Sequence, residues 1–228
     1  MQTGKVLRLY ARTPYVAQFE RDARPEPLSW FWIAQRSRLT PLRTLDAAYT
    51  ADAALVSAFV EHWHPETNSF HFYFGEMTMT LHDVYFILGL PIQGRSCHTN
   101  QFTDDDIKTR LFEDFGLDQA TWRIWTKAGG VMCDAVEKKL RTWMDEEDRD
   151  ESRIASYYLF LLVVSTVFVD KSTNCGKPHW LGLLFDHGVT GEYAFGAAVL
   201  AYVYRHLGEA SRREASTIGG CNVLLRVR

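Results

Sequence analysis

The chain has 228 residues, 46% hydrophobic and 14% aromatic, which is ample for one continuous buried core. Its net charge of −3 hides basic ends around an acidic body: residues 1–43 hold eight Lys/Arg against three Asp/Glu, and residues 205–228 hold five against two. The first residues, MQTGKVLRLYARTPYVAQFERDARP, carry charges throughout and lack the apolar stretch of about 7 to 15 residues that a secretory signal needs, so the reading is an intracellular chain.

In chain order, the first forty residues read as irregular or weakly helical, with Pro14, Pro25, Pro27 and Pro41 limiting any long element. The aromatic knot Trp30-Phe31-Trp32 is expected to dock this arm, residues 1–43, onto the body. A helix is predicted from Thr44 or Asp46 to about Trp63, with Leu45, Ala48, Leu55, Val56, Phe59 and Trp63 on one face, stopped by Pro65. Phe70, Phe72 and Phe74 then alternate with His71 and Tyr73, Gly75-Glu76 intervenes, and Met77 and Met79 alternate with Thr78 and Thr80. That pattern predicts a small hairpin near residues 70–80, the principal β element. Thr80 with Asp83 forms a short-armed capping box for the next helix, which Gly89-Leu90-Pro91 ends. Thr103 with Asp106 opens another, Ile107 to Phe115, closed by Gly116.

Val131 to Met144 reads as an amphipathic helix, and the acidic run from Asp145 to Glu151 as a solvated connection or first turn. Tyr157 to Val169 is apolar nearly all round, which places it at the centre of a helical assembly. The apolar run from Ile154 to Val169 is 16 residues, short of the roughly 20 that cross a bilayer, so no membrane span is predicted. Glu192 to Leu207 is the last long helix, with small residues including Gly196 that allow close approach of a neighbour; after Gly208 the chain turns and restarts near Ile218. The fold class is therefore mainly α: a single helix-rich domain with one small β-hairpin.

Three ordered motifs carry a family resemblance: Trp63, Pro65, Glu66, Thr67 and Phe70; then Gly75, Glu76, Thr78, Thr80, Leu81, Asp83 and Val84; then Gly89, Leu90 and Gly94 with Arg95. A second block adds Asp170-Lys171-Ser172, Tyr193 with Gly196, Tyr204-Arg205-His206-Leu207, and Gly219-Gly220-Cys221. Together they resemble the plant mobile domain, the module of MAIN-like proteins and of some plant transposon proteins, over residues 44–228. The resemblance departs at Phe195, where tryptophan is usual, and after Leu224-Leu225, where a Trp-rich continuation is absent; this implies a truncated or divergent copy.

The resemblance implies a non-catalytic nuclear interaction module acting in transposon silencing, genome maintenance and meristem development, beside a serine/threonine phosphatase. The alternative is a transposon-derived domain that binds nucleic acid or a small molecule. A basic arm of Arg8, Arg12, Arg21, Arg24, Arg36, Arg38 and Arg43 could touch phosphates, but interspersed acids favour simple solubility, and direct nucleic-acid contact is not expected.

The residues offer little catalytic chemistry. Glu76 and Asp83 have turn and cap roles available, which need no substrate. His62, His64 and His71 lie near Cys97-His98 in sequence, and Cys175 near His179, but no paired zinc-ligand spacing occurs, so no metal is expected. The four cysteines, Cys97, Cys133, Cys175 and Cys221, read as free thiols. The family's aminotransferase-like label would require pyridoxal phosphate; Lys108, Lys138 and Lys139 sit on charged faces, Lys171 reads as a capping partner of Asp170, and Gly129-Gly130 is too short for a phosphate loop. No cofactor is expected.

Overall fold

The computed structural model describes residues 6–9, 16, 19–20, 29–46, 52–97, 103–116, 120–121, 126–127, 130–172 and 174–225. It is mainly α, with three small sheets among the described residues. After β1 (Arg8–Leu9) come α1 (Ser29–Arg36), a 3-10 turn at Thr40–Leu42 and the short α2 (Arg43–Asp46). The end of the N-terminal stretch is thus a regular helix, not an irregular tether. Trp30 of α1 is buried against Phe19 and Tyr158, with ring centroids 6.0 and 4.8 Å apart, whereas Trp32 of the same knot is 60% exposed. Helical geometry separates neighbours i and i+2 onto different faces, so only part of the knot docks.

The helix expected from Thr44 or Asp46 to Trp63 is α2 followed by α3 (Ala53–Glu61). Asp52 starts α3: its side chain accepts from the Ala54 and Leu55 amides. At its other end α3 stops two residues before Trp63, because Trp63–His64 is a strand, β2. With β3 (Ser69–Phe72) and β4 (Gly75–Met77) it forms a three-stranded antiparallel sheet in the order β2-β3-β4. Phe72 pairs with Gly75, so the reversal falls at Tyr73-Phe74, ahead of the Gly75-Glu76 turn expected from sequence. Gly75, at φ +133°, supplies the backbone conformation just after the turn.

Next is α4 (Leu81–Leu88), with the capping box as predicted: the Asp83 amide donates to Thr80 Oγ1 at 3.3 Å and the Thr80 amide to Asp83 Oδ2 at 2.7 Å. Gly89, left-handed at φ 66°, closes it. The same chemistry brackets α5 (Asp104–Phe115) between Thr103 and Gly116. A second three-stranded sheet takes β5 (Thr126–Lys127), β6 (Gly130–Met132) and a later strand, and the predicted amphipathic helix begins after β6 as α6 (Cys133–Met144).

Helix α7 (Glu151–Thr166), capped by Asp150, is the centre expected: every residue from Ile154 to Val164 is buried. Helix α1 lies along it, and α6 and α2 pack on it as well. Phe115 and Trp143 stack at 5.4 Å beside Tyr157, whose hydroxyl donates to Asp114 at 2.8 Å. Beyond it come β7 (Cys175–Gly176), which pairs with β6, and the short helices α8 (His179–Gly182) and α9 (His187–Thr190).

The last long helix is α10 (Phe195–Ala210), shifted by one turn from the expected Glu192–Leu207. Ala194 is its N-cap residue, and Gly208 lies inside it, tolerated without ending it. Then β8 (Thr217–Ile218) pairs in parallel with β1, tying the two ends of the domain together, and a 3-10 turn spans Asn222–Leu225.

Candidate functional site

The motif residues are mostly joints between elements. Trp63 is buried between Phe70 and Tyr204, with centroids at 4.8 and 5.3 Å. Pro65 faces Gly208, and Glu66 is exposed. Thr67 Oγ1 contacts Ser69 Oγ at 2.7 Å and His71 Nε2 at 3.2 Å. Glu76 accepts from Ser69 Oγ at 3.2 Å and lies 3.6 Å from His71 Nε2, so it braces the hairpin. Thr78 Oγ1 donates to Asn68 O at 2.6 Å and meets the Tyr204 hydroxyl at 2.9 Å, joining sheet to α10. Leu81 is partly exposed, while Val84 and Leu90 are fully buried.

The glycines mark close approaches. A Cβ on Gly89 would sit 3.0 Å from Pro41 Cβ, and one on Gly196 would sit 2.9 Å from Ile92 Cγ2 and 3.0 Å from Pro91 O. Gly94, at φ +136°, lets Arg95 bridge to Tyr193: the Arg95 amide donates to Glu192 O at 2.8 Å and the Ala194 amide to Arg95 O at 2.9 Å. The Arg95 guanidinium also lies over the Tyr193 ring at 5.6 Å. A Cβ on Gly219 would fall 2.7 Å from Val169 O, and the Gly220 amide, at φ +91°, donates to that carbonyl at 2.6 Å.

Two concave surfaces stand out beside a third of about 760 Å³ around Pro41, His82, Tyr85 and Phe86. The first is an apolar groove of about 290 Å³ on the sheet, lined by Phe59, Phe70, Phe72, Phe74, the Met77–Met79 segment and the pair Leu224-Leu225. Tyr73 at its rim is fully exposed and Phe74 is 61% exposed. The second is a polar cleft of about 1370 Å³ between α10 and the segments around Ile92–Cys97 and Asp170–Trp180. It gathers Lys171, Lys177, His179, Arg205, His206 and Glu209. Lys171, read from sequence as a capping partner of Asp170, donates to Glu209 at 2.9 Å. Asp170 accepts from the Ser172 amide at 2.8 Å. Burial lowers the His206 imidazole below its ordinary value. Asp170-Lys171-Ser172 and Tyr204-Arg205-His206 were visible as motif blocks, but only the fold brings them to one cleft; Lys177 and Glu209 had no signal of their own.

The histidines read as metal candidates are used structurally. His64 stacks on His71 at 3.9 Å, and His62 Nδ1 lies 3.0 Å from His71 O. Among the described residues no group of three His, Cys, Asp or Glu side chains is placed to hold a metal ion; His98 and Gly129 lie outside them. Burial pushes the Cys97 and Cys221 thiols up to about 12, so neither is a thiolate near neutrality. Within the basic arm, Arg43 is locked onto Glu20 by two hydrogen bonds of 2.6 and 2.8 Å and lies over the Phe31 ring; Arg12, Arg21 and Arg24 lie outside the described residues. No described helix is long and apolar enough to cross a membrane.

The plant mobile domain family matches residues 42–227. The chain belongs to the plant mobile domain family. Protein MAINTENANCE OF MERISTEMS from Arabidopsis thaliana is 36% identical over 181 residues, covering 76% of this chain and 36% of that protein. Protein MAIN-LIKE 2 from the same plant is 36% identical over 180 residues, 78% of this chain and 26% of that protein. The Arabidopsis serine/threonine-protein phosphatase 7 long form homolog is 32% identical over 186 residues, 77% of this chain and 13% of that protein. The match thus spans about a third or less of each relative's length. No solved structure matches the chain.

Proposed function

We propose that this plant mobile domain is a non-catalytic protein-interaction module of the nucleus, working in transposon silencing, genome maintenance and meristem development beside a serine/threonine phosphatase. The apolar groove on the hairpin sheet carries the reading, because an exposed concavity lined chiefly by aromatic and aliphatic side chains is suited to a protein segment. The sheet edge beside it favours an extended occupant. Phe72 and Gly75 close a two-residue turn, so His71 and Glu76 form the next, non-hydrogen-bonded pair and point their backbone groups away from each other. His71 accordingly donates to His62 O at 2.8 Å on the β2 side, and the Glu76 amide and carbonyl face the outer edge of β4, where no further strand pairs among the described residues. An apolar strand could add to that edge and seat alternate side chains in the groove.

A phosphatase is the partner favoured by the name of one relative, a serine/threonine-protein phosphatase 7 long form homolog that aligns with 77% of this chain over 13% of its own length. Meristem function is favoured by the name MAINTENANCE OF MERISTEMS. Nucleic acid finds less support, since Arg43 of the basic arm is already engaged by Glu20 and Phe31.

The test is binding of a purified phosphatase 7-type enzyme to this chain by interferometry. Phe74→Asp places a charge at the groove rim, and Glu76→Pro removes the edge donor on a strand where proline is tolerated. Both variants should lose binding while keeping the wild-type circular dichroism spectrum. Undiminished binding by both overturns the groove as the interface.

A further inference from the structure

The geometry points to the polar cleft beside α10 as a binding site for a small amphipathic oxyanion, a phosphate or carboxylate group carried on a planar apolar body. This inference does not rest on the interaction reading, since the cleft shares no residue with the groove. Its volume of about 1370 Å³ has room for a metabolite-sized ligand. One wall is flat and apolar: Ala197, Ala198 and Ala201 present a surface without long side chains. Beside them Trp180 stacks on Phe168 with centroids 3.6 Å apart at 9°, and Tyr202 stands edge-on to both. Such a wall accepts a ring or another flat apolar group.

At the far end two cations share one carboxylate. Glu209 alone receives Lys171 Nζ at 2.9 Å and Arg205 Nε at 3.1 Å, and His206 Nδ1 lies 3.9 Å from it. Lys177 and His179 add to the same lining, and the other acid there, Asp170, accepts from Ser172. Arg205 uses only Nε in that pair; among the described residues both terminal nitrogens of its guanidinium lack a hydrogen-bond acceptor. A guanidinium fork beside an ammonium is the donor set that oxyanions select.

One buried polar atom at the cleft points the same way. His206 is 6% exposed and its Nδ1 has no hydrogen-bond partner. Unpaired buried nitrogens are unfavourable. An anion taken up by Arg205 and Lys171 would relieve Glu209 of two cations and free it to accept from His206 Nδ1–H, which its 3.9 Å separation now leaves too long.

The experiment titrates the full chain with phenyl phosphate, benzoate and inorganic phosphate by calorimetry, following the His206 ring by NMR. Phenyl phosphate or benzoate should saturate, and the tighter of the two identifies the head group; inorganic phosphate, lacking the planar body, should bind about tenfold or more weakly. Arg205→Gln and Lys171→Gln should each weaken the tighter ligand by about tenfold, the loss of one charge-assisted contact. Ala201→Leu, on an exposed helical position, should remove the preference for the ring while leaving inorganic phosphate unaffected. The His206 resonances should shift with saturation in wild type. No saturable binding of any of the three probes overturns the proposal, as does affinity unchanged in both Arg205→Gln and Lys171→Gln.

Discussion

Gly94→Ala should be among the most damaging single-methyl changes in this domain, and Gly75→Ala separates the two reasons why. Both glycines have a positive φ, +136° and +133°, so both substitutions carry a conformational penalty, of order 1–3 kcal/mol each. They differ in surroundings. A Cβ at Gly75 meets nothing within 4 Å, whereas one at Gly94 would overlap the Glu192 carbonyl oxygen and lie 3.1 Å from its carbon. Relief requires the two segments to separate, which breaks the Arg95 to Glu192 and Ala194 to Arg95 backbone hydrogen bonds of 2.8 and 2.9 Å. At about 1 kcal/mol for each bond, Gly94→Ala should lose about 3–5 kcal/mol in all, about 2 kcal/mol more than Gly75→Ala. Against a typical total of about 5–15 kcal/mol this is a large fraction. Urea denaturation followed by tryptophan fluorescence measures both variants. Coincident midpoints would refute the claim that the Arg95–Tyr193 bridge stabilises the fold.

Thr80→Ala should destabilise the domain by about 1 kcal/mol in the same assay, because the Asp83 amide loses its acceptor, while Thr80→Ser should keep most of the stability. Stability should also fall as the pH drops below 6.5, the ordinary histidine value. Burial lowers the folded His206 imidazole below that value, so the unfolded chain takes up a proton that the folded one refuses until its own lower pKa is passed. His187 is lowered in the same sense, again chiefly by burial, so His206→Gln should shrink the difference in urea midpoint between pH 7.5 and 5.5 without abolishing it. An unchanged difference in that variant would show that His206 is not neutral in the fold.

What could be read from sequence follows the range of the chemistry involved. The caps at Thr80 and Thr103 and the left-handed stops at Gly89 and Gly116 need partners only three or four residues away, and each stands where the sequence puts it. The central helix was legible because apolar residues on every side admit no surface position. Errors arise where a distant partner decides. Trp63 continues a helical face in sequence but pairs with Phe70 as strand, and the two-residue β1 and β8 exist only because they find each other across the whole domain. Helix α1 was obscured by the prolines before it, and its docking depends on Tyr158, remote in sequence. The cleft was illegible for the same reason: Lys171 meets Glu209 only after α10 has packed.

Helix α10 explains why the motif residues cluster as they do. Its start is held by the Gly196 amide donating to Pro91 O at 2.8 Å, with Val84 and Ile92 against the glycine. Its middle is held on one side by Tyr204, whose hydroxyl reaches Thr78 and the Met79 carbonyl, and its end is approached by Gly219 and Gly220 beside His206. Consecutive residues then serve opposite surfaces: Tyr204 supports the sheet that carries the apolar groove, while Arg205 and His206 line the polar cleft. A helix pinned in this way cannot rotate to improve one surface without disturbing the other. The motif therefore specifies the platform, whereas Tyr73 and Phe74, which lie outside the motif positions, project from the turn into solvent.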